Sequence, residues 1–252
     1  MDLLQAIEAR VSCRAYESCP LSENDFAFLA EKIAELNALS GLRFQLYGPR
    51  EGTDSALDLA GAMFAGHAPC YAALVAPDDP VSGDRVGYYG ERLVLEATAR
   101  GLGTCWVAGT FDRKTTRAEL GGGERLWDVV PIGYAMEKTP LKQRLIRNGL
   151  RARGKKPEQL ADADRPWAEL PGWFRAGVEA AAKGPSAVNR QPVVFRLRGG
   201  RVTAHVDAGR AGLEYNDMGI AKLHFELAAS ANGFSGRWGF GPDAAFAPAE
   251  AR

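Results

Sequence analysis

Apolar and polar positions along the chain follow two periods. Ser22-Glu-Asn-Asp25 has the form of a capping box, and Phe26, Leu29, Ile33 and Leu36 follow at three- and four-residue spacing, which predicts a helix. Val86, Tyr89, Leu93 and Ala97 line one face of a second helix that stops at Gly101. Trp173 to Ala182 reads as a third, and Ile220, Leu223, Leu227 and Ala231 mark a last long helix ending at Gly233. Short apolar runs predict strands at Arg43 to Tyr47, Tyr71 to Ala76 and Val129 to Ala135, with Thr104 to Gly109 a strand or extended turn. Val193 to Leu197 and Val202 to Val206 flank Gly199-Gly200, a hairpin signal.

A recurrence lies across this pattern. Gly87, Gly101 and Trp106 return as Gly219, Gly233 and Trp238, each displaced by 132 residues. Both copies run glycine, helix, glycine plus an apolar residue, then a short turn to tryptophan, with Phe234 standing opposite Leu102. This is the signature of a duplicated unit. It gives a meaning to 252 residues, a length between one large domain and two small ones.

Composition is that of an ordinary globular chain, 46% hydrophobic and 25% charged. No apolar run is long enough to span a bilayer. The first ten residues mix acids with apolar side chains and lack the layout of a signal peptide, so a cytoplasmic protein is expected. Cys13, Cys19, Cys70 and Cys105 form no CxxC, and His67, His205 and His224 are scattered; reduced thiols and no metal site are expected. The zero net charge is uneven: Glu137 to Lys156 holds eight basic residues and one acid, a local +7 balanced by −7 elsewhere. Such a cluster can contact nucleic acid, form a solvated connector, or capture a phosphate group. Gly149 to Lys156 matches GxxxxGK but carries Lys156 where a P-loop needs Ser or Thr, and no strand leads into it. Gly101-Leu-Gly103 does not continue to a third glycine at Trp106, so a Rossmann fingerprint is missing too.

Three motifs carry candidate chemistry. Arg10-Val-Ser12-Cys-Arg14 follows an amphipathic first helix and places two guanidinium forks and a hydroxyl within five residues, a compact anion-binding set. Gly184-Pro185-Ser186-Ala187-Val188-Asn189-Arg190-Gln191-Pro192 is a proline-stiffened loop of short polar groups, suited to the polar edge of a planar heterocycle. Gly101 to Gly109 (Gly-Leu-Gly-Thr-Cys-Trp-Val-Ala-Gly) has small residues that let its backbone approach a flat ring.

Together these motifs resemble the FMN-dependent nitroreductase family. Arg10-x-Ser12-x-Arg14 is similar to its phosphate and ribityl motif, Pro185-Ser186-Ala187-x-Asn189-x-Gln191-Pro192 to its flavin-edge loop, and Gly101-Leu-Gly103-x-Cys-Trp106 to the segment leading to a backbone N–H at flavin N5. Arg153-x-Lys155-Lys156-Pro157 is similar to its late basic element. Family members carry the arginine motif and the proline-serine-asparagine loop in one half-chain and pair as two-fold dimers. Here Asn37 to Phe44 stands where the first half should have its loop, and the second half has the loop without the arginine motif. The chain thus resembles a fused, degenerate pseudo-dimer, like the single-chain nitroreductases first known from thermophilic bacteria.

The resemblance implies an α+β, nitroreductase-like fold: two degenerate α/β halves forming an intrachain pseudo-dimer with central, mainly antiparallel sheets. The halves would be residues 1–136 and 166–252, joined by a basic connector at 137–165. It implies one FMN held between the halves by Arg10, Ser12, Arg14, Trp106, Val107, Ala108, Gly109, Arg153, Lys156, Pro185, Ser186, Ala187, Asn189 and Gln191. Electrons would pass from NAD(P)H, NADPH included, through FMN to a nitroaromatic, quinone or similar acceptor. A monomer without nucleic-acid or membrane partners is expected. The competing expectations are a non-catalytic FMN sensor or carrier, a member that has lost its flavin, and a module binding nucleic acid through the basic connector.

Overall fold

The structure, a computed structural model, describes residues 1–53, 55–58, 67–108, 111, 116–137, 145, 148–149, 154–206 and 213–248. The chain separates into two compact units: Met1–Asp78 with Arg92–Ala152, and Asp79–Glu91 with Arg153–Arg252.

In the first unit, helix α1 (Leu3–Ala9) begins at Asp2, whose carboxylate accepts the Gln5 N–H in a reciprocal capping box. Helix α2 (Glu23–Ser40) starts where the sequence places it: Ser22 Oγ accepts the Asp25 N–H at 3.1 Å. Leu29, Ile33 and Leu36 are buried, and the helix ends at Gly41 with φ +69°. The strands are β1 (Arg43–Tyr47), β2 (Leu57–Asp58), β3 (His67–Ala68), β4 (Cys70–Pro77), β5 (Gly103–Thr104) and β6 (Glu124–Gly133). The main sheet runs β1-β4-β6-β5, antiparallel throughout. β4 is buried from Cys70 to Ala76 because both its edges are paired and both its faces covered, which explains its unbroken apolar run.

Helix α3 (Pro80–Ala99) connects β4 to β5, and its segment up to Glu91 belongs to the second unit. That unit also contains β7 (Ala161–Ala163), α4 (Gly172–Ala181), β8 (Val193–Arg198), β9 (Arg201–Val206), α5 (Glu214–Ala231), β10 (Gly236–Trp238) and β11 (Ala245–Pro248). The sheet order is β10-β11-β9-β8-β7, with only β7 and β8 parallel. Its core centres on Phe225, whose ring lies 4.8 Å from that of Phe195 and 5.5 Å from that of Trp238. α4 reaches this ring through Gly177, where a Cβ would come within 2.6 Å of it.

The two sheets share a layout. β1-β4-β6-β5 and β8-β9-β11-β10 are the same order of antiparallel neighbours. In each, a helix precedes the first strand and another separates the second strand from the last two. The nitroreductase-like, mainly antiparallel α+β fold implied by the sequence is present.

Several boundaries differ from expectation. The strand or extended turn expected over Thr104 to Gly109 holds a strand only at Gly103–Thr104; Cys105 and Trp106 leave the ladder, Val107 returns to pair with Val129, and Gly109 lies outside the described residues. β6 starts at Glu124, earlier than its apolar run, because backbone pairing to Pro77 holds the polar residues as well. All four cysteines are free. Among the described residues no helix is long and apolar enough to cross a membrane, and no cluster of His, Cys, Asp and Glu could hold a metal.

Candidate functional site

The first donor set is built where the chain leaves α1. The Arg10 N–H donates to Ala6 O, ending the helix, and the next residues run extended. Ser12 bridges Thr104 in parallel, and the Cys13 N–H donates to Thr104 O at 2.7 Å. An extended segment alternates its side chains. Cys13 and Ala15 turn into the core, while Arg10, Ser12 and Arg14 stay half-buried. Gly103 permits the approach, since a Cβ there would stand 2.8 Å from Cys13 Sγ. Tyr16 supports the segment from below, its hydroxyl 2.9 Å from Cys13 O and 3.2 Å from Pro131 O.

This packing brings two of the sequence motifs together within one unit. Cys105 registers both. Burial pushes its thiol up, while the Arg14 and Arg10 charges and a Ser12 side-chain hydrogen bond pull it back. Burial likewise pushes Cys13 up to about 11, so both thiols stay protonated at neutral pH and are poor nucleophiles. Arg14 makes one long contact, Nη1 to Ser12 O at 3.5 Å, and its Nε is buried without a hydrogen-bond partner among the described residues. Leaving a buried donor unsatisfied costs roughly 1–3 kcal/mol, more for a charged group. Two guanidiniums, a hydroxyl and an unsatisfied buried donor fit an anionic, oxygen-rich ligand such as FMN.

Beyond Thr104 the predicted residues divide. Trp106 and Ala108 are half-buried. Val107 is buried in the core, and its N–H and carbonyl both bond to Val129 at 3.0 Å. Ala108 has no such bond from its N–H among the described residues. Gly109 lies outside the described residues.

The second donor set is the proline-flanked loop of the second unit. Ala187–Asn189 forms a 3-10 turn in which Val188, Asn189 and, just beyond it, Gln191 have φ of +47°, +55° and +46°. Non-glycine residues held there cost on the order of 1–3 kcal/mol each and persist only where neighbours fix them. Three contacts do so. The Asp217 carboxylate accepts the Ala187 N–H at 3.0 and 3.2 Å. Ser186 Oγ accepts the Gln191 N–H at 2.9 Å. The buried Gln191 amide donates to Ala182 O through Nε2 and accepts the Lys155 N–H through Oε1.

The last contact ties the basic element to the loop, as the two motifs require if they serve one ligand. Lys156 is exposed, and Arg153 lies outside the described residues. Pro185, Ser186, Gln191, Phe195, Asp217 and Ile220 line a small recess of about 10 Å³, room for roughly one water molecule. Asp217 is the residue sequence reasoning missed. It lies in the first turn of α5 and is only 7% exposed, next to the buried Asn216.

The chain is similar to the solved structure of a "putative nitroreductase" from Thermotoga maritima, with a TM-score of 0.65 and 20% identity over 98% of this chain and 92% of that one. Weaker likenesses include an "FMN-dependent Nitroreductase" from Clostridium difficile, at TM-score 0.40 and 16% identity over 53% of this chain and 88% of that one. A "Putative NADH Oxidase" from Clostridium acetobutylicum gives 0.41 and 16%, over 53% and 89%. No curated protein sequence matches. A family model described as "Putative TM nitroreductase" matches residues 2–229, and with that span and this fold the chain belongs to that family.

Proposed function

We propose that the chain is an oxidoreductase that holds one FMN non-covalently and passes electrons from NADH or NADPH to a small acceptor such as a nitroaromatic or a quinone. Membership of a nitroreductase family supports the reaction class. The observation that carries the cofactor is the cationic ledge at Arg10, Ser12 and Arg14, with the buried Arg14 Nε lacking an acceptor. FMN supplies the hydride and electron transfer when bound, and the protein supplies position and electrostatics.

Each residue has a distinct part in this reading. Arg10 and Ser12, with Lys156 and Arg153, neutralise and hydrogen-bond the phosphate and ribityl oxygens. Arg14 stands by the pyrimidine end, where negative charge develops on reduction. The Ala108 N–H, between Val107 and Gly109 and next to Trp106, donates to the central ring. Ser186 accepts the Gln191 N–H, so its own proton is free to donate outward, and Asn189 reads the same polar edge. Pro185 and Ala187 keep that loop stiff. Gln191 acts through the loop, because its amide is spent on Ala182 and Lys155. The basic excess of 137–156 is read as phosphate capture, with no role in nucleic-acid contact.

An anaerobic reduction experiment tests the activity. Addition of NADH or NADPH to the FMN-loaded protein should bleach the flavin, and a quinone or nitroarene should restore the colour. Bound flavin that neither nucleotide reduces would leave a carrier or sensor in place of an enzyme.

A further inference from the structure

Helices α3 and α5 cross inside the second unit at two glycines. A Cβ on Gly87 would lie 2.0 Å from Asn216 O, and one on Gly219 would lie 1.9 Å from Asp84 O. Gly87 and Gly219 are 132 residues apart, and so are Asp84 and Asn216. The offset therefore exchanges one contact for the other, as a two-fold axis exchanges the halves of an isologous interface. The helix ends repeat as well. Leu102 N–H donates to Ala97 O at 2.9 Å and Phe234 N–H to Ala229 O at 3.0 Å, after Gly101 and Gly233 at φ +89° and +87°.

Each helix carries a glycine and a carbonyl, and each carbonyl seats on the glycine of the other helix. The backbone thus permits three pairings: α3 with α5, α3 with another α3, and α5 with another α5. Side chains distinguish them. Lys222 Nζ donates to Asp84 Oδ2 at 2.5 Å and to Gly239 O at 3.2 Å, and the Gly241 N–H donates to the same carboxylate oxygen at 2.9 Å. Both charged side chains are fully buried. Under the offset, the counterpart of Lys222 on α3 is Gly90, and that of Asp84 on α5 is Asn216. Two α3 helices would set each buried Asp84 against Gly90, with no cation. Two α5 helices would set each buried Lys222 against Asn216, with no carboxylate. The buried Glu91–His224 contact, 2.9 Å long, adds to the second exclusion only, since its counterparts are Leu223 and Arg92.

We infer that the Asp84–Lys222 pair is a partner code, making the glycine face of α3 fit α5 of the same chain and reject α3 of a second copy. The inference rests on the 132-residue duplication and is independent of the flavin. It answers a problem of synthesis. The first half leaves the ribosome before α5 exists, so the glycine face of α3 is then open to α3 of another chain. An uncompensated buried charge makes that pairing costly, whereas replacing both charges by apolar groups is often neutral or stabilising.

Refolding of the full chain tests this. The wild type should return from urea to a monomer at every protein concentration, read by size exclusion with light scattering. Asp84→Leu/Lys222→Met should keep a cooperative urea transition, yet yield dimers and larger species that grow with protein concentration. Lys222→Met alone should lower the urea midpoint, and the double variant should regain part of it, since the Gly241 N–H and Gly239 O still lose their partners. If the double variant does not fold, Asp84→Asn/Lys222→Gln should show the same concentration dependence. A folded uncharged variant that refolds to monomer as the wild type does, or a wild type that refolds to dimer, overturns the inference.

Discussion

Arg14 and Gln191 belong to two of the motifs that carry the resemblance, yet they do different work. Arg14 has a buried Nε awaiting an acceptor and one 3.5 Å contact to the protein. Arg14→Ala should therefore weaken FMN binding at least tenfold, about 1.4 kcal/mol, in a fluorescence titration, and leave the urea midpoint nearly unchanged. Gln191 is spent on the protein, linking Ala182 to Lys155. Gln191→Leu should cost about 1–3 kcal/mol of stability in a thermal or urea melt and lower FMN affinity with it, because the loop loses its anchor. The loop was legible because two prolines and short polar residues cluster in nine positions. Asp217 was not, since nothing local tells that an acid in the first turn of α5 will accept the N–H of Ala187.

At the scale of elements, capping and glycine contacts decide what forms and what can be changed. Ser22 caps α2, and Ser22→Ala should cost about 1 kcal/mol in a urea melt. Asp25 in the same turn accepts hydrogen bonds from Tyr134 (2.6 Å), Arg100 and Ser22 (both 2.8 Å), which hold its carboxyl down at about 2. A depressed folded-state pKa stabilises the protein above the unfolded value near 3.9 and loses that contribution as pH falls towards 2. The stability gap between wild type and Asp25→Asn should thus be flat near neutrality and close between about pH 4 and 2. Gly219→Ala pushes a methyl into Asp84 O and should reach the upper end of the ~1–3 kcal/mol seen for overpacking. Long periodic elements such as α2, β4 and the β8–β9 hairpin were readable. β10 and β11 were not: Gly236–Trp238 and Ala245–Pro248 are too short and too rich in Gly, Ala and Pro to show a period.

For the whole molecule, the two sheets share a strand order, while the recurring glycines and tryptophan are read as a duplicated unit. The sequence could not show that Asp79–Glu91 clusters with the second unit, because its end at Glu91 falls within one continuous helix, Pro80–Ala99, without a boundary signal. Nor can the +7 segment be followed far, since most of its basic residues lie outside the described ones. Lys155 and Lys156 are the exceptions, and the Lys155 N–H is bound to the loop at Gln191. The arginine motif occurs in the first half alone and the proline-serine-asparagine loop in the second alone, which is the basis for proposing one flavin per chain. Titration of the purified chain with FMN, followed by visible absorbance and fluorescence quenching, tests this most directly. Saturation at one FMN per chain is the predicted result; a colourless protein that shows no quenching with excess FMN, or one that takes up two, would contradict it.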